Sequence, residues 1–253
     1  MSECIHGLEG TMCDVCFPKE KPQPARRAAP VRAPRSTADS PRSSSASRSS
    51  ASSRPAMLRT GELRVYHVTH LRNLPAILES GALVAGAEPV VDVSSDLARE
   101  LRATAEVAPG SRVDRFVAFS LAPDSDTWAQ LRGGAAEPRW SAAARASVPA
   151  DFVVLVSTVA ALGPDAVIAD GDAAGTYTRF ASGAEAERML VRLHDDPEAR
   201  AAAEALAPDR VELSAIQLIG VAHEPARDDV RGMLAGSPFR PKVAVYPPWF
   251  AHE

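Results

Sequence analysis

Residues 18–58 set the limit on what this chain can fold into. They are rich in Pro, Ala, Arg and Ser and include the run Ser43-Ser44-Ser45-Ala46-Ser47. Such a composition cannot bury enough apolar surface to offset the entropy of ordering its backbone. Disorder is expected there, so the chain reads as three parts. Residues 1–17 form a short Cys/His segment, 18–58 a linker, and 59–253 a body that alternates strand and helix patterns. The body holds nearly all the apolar residues, and no internal repeat is evident.

Charge follows the same division. Between Lys19 and Arg54 there are nine basic residues against two acids, a net +7. With −4 for the whole chain, the remainder carries −11. A basic tether on an acidic body fits a polyanionic partner such as nucleic acid. It fits equally a solvated linker kept extended by its own charge. The longest apolar run, residues 152–162, contains Ser157 and Thr158 and falls short of the ~20 residues needed to span a bilayer. The N-terminus has acids and cysteines where a signal peptide needs a basic start and an apolar stretch. A cytoplasmic protein with no membrane association is expected.

All three cysteines lie in the first sixteen residues, an odd number that cannot close into a disulfide framework. Cys4-x-His6 and Cys13-x-x-Cys16 offer four ligands of the kind zinc takes in a tetrahedron. A full set of four leaves no open position, so Cys4, His6, Cys13 and Cys16 are expected to hold a structural Zn2+. The alternative is a set of incidental thiols.

In the body, residues 63–68, 115–121, 152–156, 216–222 and 242–246 read as strands. Residues 75–79, 94–106, 182–194, 197–206 and 225–234 read as helices. Ser182 and Glu185 form a capping-box pattern, and Asp196 is placed to cap the helix after it. Uneven element lengths and the lack of a Gly-rich dinucleotide fingerprint argue against a doubly wound sheet. An α+β domain is expected. In the first strand His67 and Thr69 face one side and His70 the other. The His-x-Thr pair can hydrogen-bond a ligand through ring and hydroxyl together. Taken by themselves, Glu204, in an Ala-rich helix pattern, and Arg102 read as helix-surface residues. Trp249-Phe250, after two prolines, reads as a hydrophobic anchor.

Several segments, in order, resemble a known family. Tyr66-His67-Val68-Thr69-His70-x-x-Asn73-Leu74-x-x-Ile77-Leu78-x-x-Gly81 is similar to the start of the DarT-type DNA ADP-ribosyltransferases, toxins that attach ADP-ribose from NAD to bases of single-stranded DNA. Leu97 to Arg102, Val117 to Pro123, Gly171-Asp172-Ala173-Ala174 with Thr178 and Phe180, Ala203 to Pro208, and Val211 to Val221 continue the likeness. It spans roughly residues 64–246. The chain departs from it at Phe119-Ser120-Leu121, where the family carries a Phe-Tyr-Phe type pattern. It departs again at residues 124–128 and 140–145, and at Asp172 in place of Asn.

The resemblance implies a mixed fold with a split central β-sheet flanked by helices. It implies NAD as co-substrate and single-stranded DNA as acceptor. It gives Glu204 the role of catalytic carboxylate and Arg102 a role in the NAD reaction, with Arg99 in reserve. It places His67, Thr69, Asn73, Gly81 and Arg102 around the cofactor. An antitoxin partner of ADP-ribosylglycohydrolase type is implied as well. An RNA or protein acceptor, or a non-catalytic NAD- or nucleic-acid-binding module, are the alternatives.

Overall fold

The most apolar run of the chain lies inside the main sheet. In the computed structural model, which describes residues 58–251, Phe152–Thr158 is a strand with six consecutive buried side chains. A strand covered on both faces needs apolar residues at every position, and this β-branched run supplies them.

Along the chain the strands and helices are β1 (Arg64–His70), α1 (Leu74–Ser80), β2 (Ala82–Val84), α2 (Asp96–Thr104), β3 (Glu106–Ala108) and β4 (Ser111–Arg112). Then come β5 (Phe116–Ser120), α3 (Asp126–Arg132), α4 (Ala142–Ala146), β6 (Phe152–Thr158), β7 (Val167–Ala169) and β8 (Phe180–Ala181). The last are α5 (Gly183–Asp195), α6 (Pro197–Ala202), β9 (Glu204–Pro208), β10 (Arg210–Glu212), β11 (Leu218–Val221), α7 (Glu224–Leu234) and β12 (Lys242–Val245).

Eight strands form one mixed sheet in the order β12-β11-β6-β1-β5-β9-β7-β8. Only β11 and β12 run parallel in it. Pairing is uneven across the sheet. β1 is in register with β6 along its whole length, from Arg64↔Thr158 to His70↔Phe152. β5 is likewise in register with β9 from Phe116↔Pro208 to Ser120↔Glu204. Between β1 and β5 the ladder reduces to the single pair Tyr66↔Ser120. The sheet is therefore hydrogen-bonded throughout but has a seam at its middle.

Helices cover both faces. Leu190 and Leu193 of α5 and Val230 of α7 pack against Val65, Phe119, Val153 and Leu155. On the other face Trp128 and Leu131 of α3, with Trp140 and Phe250, pack against Phe152, Val154 and Val156. The alternation along β6 divides its side chains between the two cores. The C-terminal aromatics act as the expected anchor. Trp128 Nε1 donates to the Trp249 carbonyl at 2.6 Å, and Phe250 is buried. Gly220 makes room for that anchor, since a Cβ there would stand 2.6 Å from the Trp249 ring.

Two local expectations are corrected. The helix read over residues 197–206 ends at Ala202, and a strand begins at Glu204. Ala and Glu are good helix formers, but propensity amounts to only tenths of a kcal/mol per residue, roughly, and pairing with strands on both sides overrides it. Ser182 makes no side-chain cap bond, so the capping box does not form. Asp196 does cap α6, accepting from the Ala199 amide at 3.0 Å. Among the described residues no helix is long and apolar enough to cross a membrane. Residues 1–57, with the ligand set Cys4, His6, Cys13 and Cys16 and the linker up to Met57, lie outside the described residues.

Candidate active site

Glu204 is the first residue of β9, opposite Ser120 of β5 and Ala169 of β7. It is a carboxylate in the interior of the sheet, only 8% exposed. The chain reaches this position by leaving α6 at Ala203, whose carbonyl accepts from the Leu121 amide at 3.1 Å. The surface position read from its helical neighbours is thus replaced by a buried one. A buried carboxylate needs a charged or hydrogen-bonding partner, and Arg102 provides it. Arg102 Nη1 donates to Glu204 Oε2 at 3.4 Å.

Arg102 lies in the last turn of α2, a helix capped by the Ser95 hydroxyl, which accepts from the Ala98 amide at 3.2 Å. The reserve candidate Arg99 faces elsewhere. It pairs with Asp92 and Asp96 in solvent. Of the two arginines, only Arg102 reaches the carboxylate.

A second ion pair faces the first. Arg139 Nη2 stands 2.6 Å from Asp172 Oδ2. Asp172 follows β7 closely, and Ala169 of β7 is in register with Glu204. A tight turn holds Asp172: its carbonyl accepts from the Thr178 hydroxyl at 2.6 Å and the Gly175 amide at 2.8 Å. A side chain at Gly175 would collide with that carbonyl, at 2.9 Å. Arg139 is tied to the start of α2, where the Ser95 amide donates to its carbonyl at 2.9 Å. Its guanidinium lies over the Trp140 ring, 5.7 Å from the centroid, a cation–π geometry.

Burial pushes the Glu204 pKa above the ordinary carboxylate range. The Arg102 charge and hydrogen bond pull it back, Asp172 pushes it up, and Arg139 pulls it down. The result is a carboxylate with a strengthened affinity for a proton, set among three other charges, those of Arg102, Asp172 and Arg139. Such perturbed groups collect at functional sites. Sequence reading missed Arg139. It follows a Gly/Ala-rich loop and lies just outside the stretch 140–145 that departs from the family pattern, so nothing in the sequence singled it out.

His67 lies at the seam. Its Nδ1–H donates to the Ala118 carbonyl of β5 at 2.8 Å. Its ring lies 5.5 Å from that of Phe119. An imidazole therefore bridges strands whose backbone pairing has lapsed. Burial lowers its pKa, which the bond to Ala118 opposes and the Arg102 charge reinforces. In the neutral ring Nδ1 carries the proton, and Nε2 is left as an acceptor.

Thr69 and Asn73 are coupled. Asn73 Nδ2 donates to Thr69 Oγ1 at 3.2 Å and to the Val91 carbonyl at 3.0 Å, while its Oδ1 accepts from the Val91 amide at 2.7 Å. Both amide protons are used inside the protein, so Asn73 positions Thr69 and clamps the segment leading to α2. Among the described residues the Thr69 hydroxyl accepts from Asn73 and donates to no protein group, which leaves its proton for a ligand. Gly81 ends α1 in the left-handed region, φ 72°, and a Cβ there would meet the Phe239 ring at 3.5 Å. His70 is buried and accepts from the Arg72 amide at 3.1 Å, in keeping with a structural role. Among the described residues no group of three or more metal-ligating side chains is assembled.

The sequence profile of the family described as ssDNA thymidine ADP-ribosyltransferase, DarT, matches residues 66–251. No curated protein sequence matches the chain. Several solved structures share the fold. Thermus sp. 2.9 DarT in complex with ADP-ribosylated ssDNA is 23% identical, with a TM-score of 0.64 over 75% of this chain and 97% of that one. The same Thermus protein in complex with NAD+ gives 24% identity and a TM-score of 0.60, over 75% and 98%. Thermosipho africanus DarTG in complex with ADP-ribose gives 18% and 0.58, and the match covers 74% of this chain and 50% of that one.

Proposed function

The chain belongs to the DarT family of single-stranded DNA thymidine ADP-ribosyltransferases, NAD-using enzymes, and from that premise we propose how its own residues perform the transfer. The observation that carries the reading is the buried Glu204 carboxylate held by Arg102 beside the β1–β5 seam. NAD binds with its nicotinamide ribose at His67 and Thr69, where Nε2 accepts and the Thr69 hydroxyl donates. Arg102 takes the pyrophosphate through its fork of donors. The DNA-bound thymine is the acceptor, and its one ring N–H is at N3.

In the transfer the bond from ribose C1′ to the nicotinamide nitrogen breaks, and its electron pair leaves with nicotinamide as a neutral molecule. Positive charge grows on the ribose, and the Glu204 carboxylate stabilises it. The thymine N3 forms the new bond to C1′, and its proton passes to Glu204. A base can react in this way only when unstacked and unpaired, which fits a single-stranded substrate.

The Thermus structures, complexes with NAD+ and with ADP-ribosylated ssDNA, support this reading. We infer further a toxin that acts with an antitoxin of ADP-ribosylglycohydrolase type, as the family resemblance implies; the Thermosipho DarTG structure is a complex with ADP-ribose. In the same reading the enzyme is cytoplasmic, Cys4, His6, Cys13 and Cys16 hold a structural Zn2+, and the basic linker contacts nucleic acid. Incubation with labelled NAD and single-stranded oligonucleotides tests it. Label is expected on thymidine-containing oligonucleotides only, and is lost in Glu204→Gln. Transfer to RNA or protein in preference to DNA, or none at all, would overturn it.

A further inference from the structure

The end of the sheet that holds Glu204 also holds a cleft with no part in the chemistry above. A cavity of about 220 Å³ lies between the start of β1, the end of β5 and the corner of α5 and α6. Leu121 and Leu193 contribute to its apolar lining, and Arg64, Tyr66, His194 and Arg200 supply its polar groups. Among the described residues no carboxylate lines it. This matters on a chain that carries −11 outside its linker, because a polyanion approaching that body needs a local patch of the opposite sign.

Among the described residues neither Arg64 nor Arg200 forms an ion pair. Arg200 Nε is buried and has no hydrogen-bond partner among the described residues. A buried donor without an acceptor is costly, and native proteins rarely leave one. Arg102, Arg132 and Arg139, by contrast, are each held by a carboxylate.

The cleft is joined to the catalytic carboxylate by the sheet itself. Tyr66, Ser120 and Glu204 lie in one row across β1, β5 and β9. Directly opposed residues share a face, and adjacent strands are ~4.8 Å apart, so Tyr66 and Glu204 are separated by about 10 Å. A neighbouring nucleotide spans that distance. Arg200 lies in α6, the helix that leads into β9 and Glu204. The Tyr66 ring is braced edge-on by Trp249, with centroids 5.6 Å apart.

We propose that this cleft binds the nucleotide adjoining the target thymidine on the acceptor strand, Arg64 and Arg200 taking its phosphate and Tyr66 meeting its sugar and base. The proposal rests on the reading that single-stranded DNA is the acceptor. NAD carries one pyrophosphate, assigned above to Arg102, whereas a strand brings a further phosphate beside the reacting base. Stacking on an aromatic ring beside a cationic groove is a common way to hold a single strand without reading its sequence.

The test uses the full chain with Arg64→Ala/Arg200→Ala, a separate Arg200→Lys variant, and thermal melts to establish that each is folded. For a thymidine oligonucleotide, the double variant is expected to raise KM about tenfold while KM for NAD stays within about twofold. The slope of log affinity against log salt becomes shallower by about 0.7 for each phosphate left without its arginine. Arg200→Lys recovers part of the affinity. A methylphosphonate at the linkage beside the thymidine weakens wild type and leaves the double variant unaffected. A rise in KM for NAD alone would assign the cleft to NAD, and unchanged constants for both substrates would remove it as a site. Either result overturns the proposal. Anisotropy of a labelled oligonucleotide on Glu204→Gln, with and without the two arginine changes, reads the cleft without turnover. If wild type labels no DNA, the proposed function fails, while this binding difference still decides the cleft.

Discussion

The two halves of the sheet are built on opposite principles. In β12, β11, β6 and β1 the centre is β6, with Val153 and Leu155 in one core and Val154 and Val156 in the other. In β5, β9, β7 and β8 the central strand β9 begins with a carboxylate and continues in small or apolar residues, Ala205-Leu206-Ala207. The first half is stabilised by apolar area removed from water. The second carries a buried charge that two arginines offset. The seam between β1 and β5 lies where these halves meet, and His67 bridges it. The candidate site sits where the ladder is thinnest, between two fully paired ladders, β1 with β6 and β5 with β9.

Changes in the two halves should therefore act on different properties. The largest effect belongs to Glu204→Gln. Loss of a general base lowers kcat by about 10²–10⁴-fold, measured as initial rates of ADP-ribose transfer. Its melting temperature should equal or exceed that of wild type, because burial already disfavours the charged form. A melting temperature well below wild type would mean that Glu204 holds the fold together.

Leu155→Ala, in the apolar half, reverses the pattern. Deleting a fully buried leucine costs about 2–5 kcal/mol of stability, read from denaturant unfolding. The folded fraction should keep its kcat. A smaller loss comes from Asn73→Ala, which strands the Val91 amide and carbonyl. It is expected to cost about 1–3 kcal/mol and to raise KM for NAD, since it also frees Thr69.

The smallest change is a displacement of the pH–rate profile, and its sign is informative. Glu204 must be ionised to accept a proton, so kcat falls as pH drops through its raised pKa, above the ordinary carboxylate range. Asp172→Asn removes a negative neighbour and moves the acid limb to lower pH. Arg102→Ala removes a positive one and moves it to higher pH. Limbs that move together, or not at all, would mean that Glu204 is not the titrating group.

Legibility in the sequence followed locality. The strand 152–156, the Asp196 cap and the Trp249-Phe250 anchor were readable because each depends on a few consecutive residues. Glu204 was not. Ala201-Ala202-Ala203-Glu204-Ala205 looks helical by every local measure, and only pairing to Ser120 and Ala169 turns it into a strand. Its singling out came from the family resemblance, which also led to Arg102. Arg139 had neither aid, because its role depends on an ion pair to a residue distant in sequence, Asp172.

The sequence by itself determined that the body is an α+β unit and that the chain resembles a DNA-modifying family. These are properties of composition, periodicity and short ordered motifs. Tertiary structure alone decided which arginine meets Glu204, that Asn73 spends its amide on the protein, and that, among the described residues, Arg64 and Arg200 stand without an ion pair in a cleft beside the row that holds Glu204. Those outcomes depend on which distant segments are brought within hydrogen-bonding range, and electrostatic partnership is set by distance through space, not by separation along the chain.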